Sequence, residues 1–167
     1  MSEPAYTLRP ARKEDSRAIR SLILKVGINP VGLDWRRFLL AVQDDDRMIG
    51  CGQIKPHSDG SCELASIAVR PAWRGRGVAR AVIEALLASH QGDLFLTCRS
   101  RLGPLYEKFG FRTIGEPEMP PYFQRVARLA RRLSFTGLFP VDLLVMKREP
   151  GHRDLPAVKN PPDRAAF

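Results

Sequence analysis

The stretch Arg70–Leu87, RPAWRGRGVARAVIEALL, constrains this chain more than any other. Gly75 and Gly77 stand directly ahead of an apolar periodicity, Val78, Val82, Ala85 and Leu86, that predicts an amphipathic helix. A glycine turn feeding a helix leaves backbone N–H groups uncovered at the positive end of the helix dipole, which suits phosphate. The apolar run ASIAV just before the turn reads as a buried strand.

Two familiar phosphate patterns fail on residues they need. A mononucleotide loop requires two glycines four residues apart and then Lys-Ser/Thr, and no such Lys follows. The dinucleotide fingerprint requires a small residue at its sixth position, which counted from Gly75 is Arg80. What remains is Arg74-x-x-Gly77-x-Ala79.

At 167 residues the chain can bury a core without disulfides or metal. Cys51, Cys62 and Cys98 are odd in number and show no Cys-x-x-Cys pairing, so neither a disulfide framework nor a zinc site is expected. The opening MSEPAYTLRP has no apolar core and no stretch reaches eighteen apolar residues, which predicts a cytoplasmic protein with no membrane span. The 27 Lys and Arg against 18 Asp and Glu, a net +9, favour acidic partners.

Along the chain, AYTLRPA suits a strand, and Ile19, Leu22, Ile23 and Val26 give the next segment helical spacing. FLLAVQ and MIGCGQIK flank the polar turn DDDR, and HSDGS turns into CELASIAV, predicting three antiparallel strands. After the glycine turn and its helix come the strand DLFLTCR, a helix LGPLYEKFGF stopped by Gly110, the strand FRTIGE and a closing strand FPVDLLVMKRE. The order predicts an α/β fold, a central mixed sheet with helices on both faces. A single domain is expected over 1–149. It carries a basic helical insertion at about 117–137, with Phe123, Val126, Ala127, Ala130 and Leu133 on one face and Arg125, Arg128 and Arg132 near the other. Residues 150–167 form a proline-rich tail expected to be disordered.

The RGRGVA loop in this setting resembles the pyrophosphate loop of the GNAT superfamily of N-acetyltransferases. FLLAVQDDDRMIGCGQI, CELASIAVRPAWRGRGVARAVIEALL and LGPLYEKFGF are similar to successive family elements, in family order. The resemblance covers residues 5–115 and the last strand, and implies the GNAT fold with acetyl-CoA as co-substrate and no metal. It implies that the backbone N–H groups of Arg74, Gly75, Arg76, Gly77, Val78 and Ala79 hold the CoA pyrophosphate. It implies that the main chain of Ile67, Ala68 and Val69 pairs with the pantetheine arm and polarises the thioester carbonyl.

The chemistry needs two proton transfers. Glu63 stands where some family members place the base, and its alternative is a strand-end carboxylate holding a neighbouring arginine. Tyr106 matches the family's proton donor to the departing sulfur, and its alternative is an aromatic packed under the helix. His57, His90 and His152 read as surface residues, and Glu107 and the DDD turn as solvated charge.

The expected acceptor is a primary amine of a small molecule or peptide, an amino acid being plausible if Arg125, Arg128 or Arg132 faces the cleft, since Arg grips carboxylates. A homodimer is left open. Two alternatives remain. One is a CoA-binding sensor without turnover; the other is a nucleic-acid or ribosome-associated protein, disfavoured because no aromatic stacking motif or RNA-binding signature is present.

Overall fold

A computed structural model of the chain describes residues 6–135 and 142–151, without the side chains of 134 and 135. Most of the proline-rich tail, 152–167, and the end of the expected insertion, 136–137, lie outside the described residues. Seven strands hydrogen-bond in the spatial order Thr7–Pro10, Phe38–Val42, Met48–Pro56, Cys62–Val69, Leu94–Arg99, Leu143–Arg148 and Arg112–Thr113, the predicted mixed sheet of a GNAT-type acyltransferase fold. The chain divides into two compact units, one formed up to Lys55 and over Leu64–His90, the other by Pro56–Glu63 and the residues from Gln91 on.

In the first unit β1 (Thr7–Pro10) pairs antiparallel with β2 (Phe38–Val42), and β2 with β3 (Met48–Pro56), next to which lies β4 (Cys62–Val69). Successive β3 side chains alternate between faces. Cys51 joins Ile19, Leu22 and Ile23 of α1 (Ser16–Lys25) in one core cluster with Phe38, Leu40 and Val42. Gly50 and Gly52 face the other way, toward α2 (Val78–Ser89), which buries Val78, Val82, Ile83, Leu86 and Leu87. A Cβ on Gly52 would lie 2.5 Å from Ile67 Cδ1 and 2.9 Å from Val82 Cγ1, so only glycine lets α2 approach the sheet this closely. The two helices therefore cover opposite faces. The acidic turn is exposed, as expected, and Asp46 accepts from Arg9 Nε at 2.7 Å.

In the second unit β5 (Leu94–Arg99) pairs antiparallel with β7 (Leu143–Arg148) along its whole length, and β7 pairs with the two-residue β6 (Arg112–Thr113). The foot of β4 joins β5 in parallel through Glu63 and Phe95. The segment expected to be helical as far as Gly110 forms only α3 (Gly103–Glu107), ending in tight turns in which Phe109 and Phe111 N–H groups both reach the Tyr106 carbonyl. The insertion is α4 (Pro121–Phe135), and Phe123 fills a cluster with Phe95, Ile114 and Val145. Its apolar face is shorter than predicted. Phe123 and Ala130 are buried, but Leu133 is 44% exposed.

Candidate active site

The phosphate-type loop follows a tight turn, Pro71–Trp73, in which the Arg74 N–H closes on the Pro71 carbonyl. Gly75 and Gly77 then adopt φ +72° and +79°, the left-handed region that side chains resist. Gly77 is the N-cap of α2 and no side chain caps it; the Ala81 N–H makes a helical bond to its carbonyl. The first-turn N–H groups of α2 thus meet no side-chain acceptor of the cap. A Cβ built on either glycine would have nothing within 4 Å, so the space beside the loop is open.

Arg74 and Arg76 are exposed, and the Arg76 guanidinium lies 5.3 Å over the Trp73 ring, which meets Tyr6 edge-on. Its charge is held on an aromatic face beside the loop. Neutral N–H donors, an uncapped helix end and nearby guanidinium groups form a donor set that fits a pyrophosphate. Val78 is buried beneath the loop and Ala79 half-buried.

Ahead of the loop, Ile67, Ala68 and Val69 are all buried, as a strand covered on both faces requires. One residue earlier β4 kinks. Ser66 adopts φ +58°, a left-handed backbone at a non-glycine residue inside a strand. Its carbonyl accepts from the Cys51 thiol at 3.8 Å and its hydroxyl from Gln53 Nε2 at 3.0 Å. Nothing in the sequence marks Ser66, since its neighbours are apolar and no glycine stands near. Gln53 Oε1 is fully buried without a hydrogen-bond partner among the described residues.

Glu63 lies in the second unit and is buried, 7% exposed. Among the described residues it holds no arginine. Its Oε2 is 2.9 Å from His57 Nε2, and its Oε1 accepts from the Thr97 hydroxyl at 3.1 Å. His57, expected at the surface, has a side chain only 5% exposed, because the β3–β4 turn folds it under α4. There it stacks on Tyr122 with centroids 3.5 Å apart and meets Phe123 edge-on. Burial first, then the Glu63 charge, pushes the Tyr122 phenol above its ordinary value, against a smaller pull from Arg125.

Tyr106, also in the second unit, is buried at 7% exposure with its ring edge-on to Phe111. Burial, with a lesser contribution from Cys98, pushes its phenol well above the ordinary value, so it stays protonated at neutral pH. Cys98 is buried against Met146, and burial with the Asp142 charge raises its thiol to about 11. It behaves as a small apolar residue. Among the described residues no hydrogen bond joins Glu63 to Tyr106, and no group of three His, Cys, Asp or Glu is placed to hold a metal.

The α4 arginines divide into two kinds. Arg128, read as part of a solvated face, is clamped to Glu116 at 2.7 Å together with Arg131, which the sequence reading did not single out. Arg125 and Arg132 have no acidic partner at ion-pair distance among the described residues. Arg125 lies one turn beyond Tyr122, close enough for its charge to act on the Tyr122 phenol.

Residues 34–113 match the sequence profile of the acetyltransferase (GNAT) domain. No curated protein is matched by the sequence. N-acetylglutamate synthase from Neisseria gonorrhoeae, solved with coenzyme A and N-acetyl-glutamate, shares the fold with a TM-score of 0.70 at 18% identity. The alignment covers 90% of this chain and 36% of that one, so this chain spans about a third of that protein. Rv2747 from Mycobacterium tuberculosis, solved in complex with CoA, gives 0.64 at 23% identity over 86% of this chain and 98% of its own. A GNAT-family acetyltransferase from Staphylococcus aureus gives 0.64 at 12% identity over 87% and 99%.

Proposed function

The chain carries an acetyltransferase domain of the GNAT family, and from that premise we propose that it transfers the acetyl group of acetyl-CoA to the primary amine of a small, carboxylate-bearing acceptor such as an amino acid. One observation carries the reading. The two left-handed glycines leave open space beside an α2 N-terminus that no side chain caps.

Acetyl-CoA is the co-substrate. The N–H groups from Arg74 to Ala79 bind its pyrophosphate, and the main chain of Ile67, Ala68 and Val69 aligns its pantetheine arm and polarises the thioester carbonyl. Glu63 takes a proton from the acceptor ammonium, directly or through a water, and the freed amine attacks the thioester carbon. The C–S bond breaks as the amide forms. Tyr106 gives its phenolic proton to the leaving sulfur, and the second proton lost from nitrogen balances it. Arg125, without an acidic partner at ion-pair distance among the described residues while Arg128 is occupied by Glu116, binds the acceptor's carboxylate. The N-acetylglutamate synthase neighbour was solved with an acetylated amino acid, which supports that acceptor class.

The test is release of CoA from acetyl-CoA with free amino acids, polyamines, aminoglycosides and lysine peptides, read by mass spectrometry of the acetylated product. Acetylated amino acids are expected. Acetyl-CoA binding without any product would overturn the transfer reading, and absence of binding would overturn the reading of the loop as well.

A further inference from the structure

The β3–β4 turn, the foot of β4 and the start of α4 meet at one imidazole. His57 Nε2 lies 2.9 Å from Glu63 Oε2, and the two side chains are 5% and 9% exposed. Thr97 from β5 engages the other carboxylate oxygen. Tyr122 lies over the ring at 3.5 Å and 17°, and Phe123 closes its edge at 5.6 Å. The turn is itself pinned, with the His57 N–H on the Ser61 carbonyl and Asp59 holding both Ser61 and the Tyr122 N–H. The charged and titratable groups around the imidazole are Glu63 from β4, Asp59 from the turn and Tyr122 from α4, with Arg125 acting on Tyr122.

We infer that His57 is a positioning residue: its Nε2–H donates to Glu63 and, with Thr97, fixes the direction in which the carboxylate presents its remaining lone pairs. This rests on the reading of Glu63 as the base. A carboxylate oxygen is acceptor-only, so a nitrogen 2.9 Å away must carry the hydrogen, which leaves Nδ1 bare in the neutral ring. The stacked Tyr122 ring holds the imidazole in that register. The base and the start of α4, the helix that carries Arg125, are therefore one rigid constellation. A carboxylate with both oxygens engaged cannot swing, which is the preorganisation a proton transfer over hydrogen-bond distance requires.

The experiment combines spectra and kinetics on the full chain. In 15N-histidine-labelled protein, the resonances of the neutral His57 ring, assigned by their loss in His57→Gln, are expected to show the Nε2–H tautomer, and Tyr122→Leu to mix the tautomers. With acetyl-CoA and an equimolar mixture of the common free amino acids, His57→Leu is expected to lower kcat about tenfold or more and leave the acetyl-CoA KM within about twofold. His57→Gln, whose amide N–H reaches the same carboxylate, is expected to restore kcat to within about threefold of the parent. An Nδ1–H tautomer, an unchanged kcat in His57→Leu, or no rescue by Gln in a folded protein would overturn the inference. Glu63→Gln separates the two readings. Full activity in that variant removes Glu63 as the base, while the tautomer in the parent protein still decides the His57–Glu63 hydrogen bond.

Discussion

Asp59 and Tyr122, 63 residues apart in sequence, are joined by a 2.7 Å hydrogen bond from the Tyr122 N–H to Asp59 Oδ2. A β-hairpin turn thereby supplies the N-terminal cap that α4 cannot make for itself, because the residue before the helix, Pro120, has no side-chain acceptor.

Asp59→Ala is expected to cost about 1 kcal/mol of stability, the usual worth of a lost cap. The Asp59 carboxyl is raised by its partial burial but lowered more by the Ser61 hydroxyl and the Tyr122 and Ser61 N–H groups, from 3.8 to about 2. A depressed carboxyl stabilises the fold at pH above its unfolded value, and the contribution fades as pH falls from 3.8 toward 2. Thermal unfolding from pH 5 down to pH 2 checks this. The gap between the parent and Asp59→Ala is expected to narrow with acid, and a gap that widened would count against the cap.

Gly77→Ala places a Cβ at φ +79° and in the open space beside the α2 N-terminus. The strain is expected to cost about 1 kcal/mol, and calorimetry is expected to show acetyl-CoA affinity reduced about tenfold or more, as one backbone contact to phosphate is lost. Equal affinity would place the pyrophosphate elsewhere.

Tyr106→Phe keeps the ring against Phe111 and removes only the phenolic proton. A fall in kcat of about a hundredfold is expected, with the melting temperature nearly unchanged. Because burial raises this phenol, it keeps its proton past pH 10, and no alkaline limb below that pH is expected from Tyr106 in the parent's rate profile.

Ser66→Val puts a β-branched side chain at φ +58° and removes the hydroxyl that accepts from Gln53. Destabilisation of about 1–3 kcal/mol is expected in chemical denaturation. Ser66→Gly, which relieves the backbone but also loses the hydroxyl, is expected to fall between Val and the parent.

What the sequence made legible is what is local. The loop from Arg74 to Ala79 declares itself because glycines and a helix pattern are neighbours in the chain, and its backbone follows the requirement that only glycine relaxes at left-handed angles. Glu63 and Tyr106 could be named by position within their elements. Their surroundings could not. His57 looks like a turn residue until α4 covers it, and the helix residue that does so, Tyr122, is 65 positions downstream. Leu133 continues the apolar period of α4 yet is 44% exposed, since periodicity gives a face and not the degree to which each position on it is covered. Ser66 carries no sign of its kink, and the side chains that bond it there, Cys51 and Gln53, come from β3.

The glycines at 50 and 52 have a consequence for the loop that neither touches. With no side chain between β3 and α2, the helix rests on the sheet within a methyl group's tolerance, and its first residue, Val78, is wedged over Gly50. The N–H donors at that end of the helix are thus mounted on a stiff support. Ordering them is part of folding, so a phosphate that arrives meets dipoles already aimed, and little conformational entropy is left to be lost on binding.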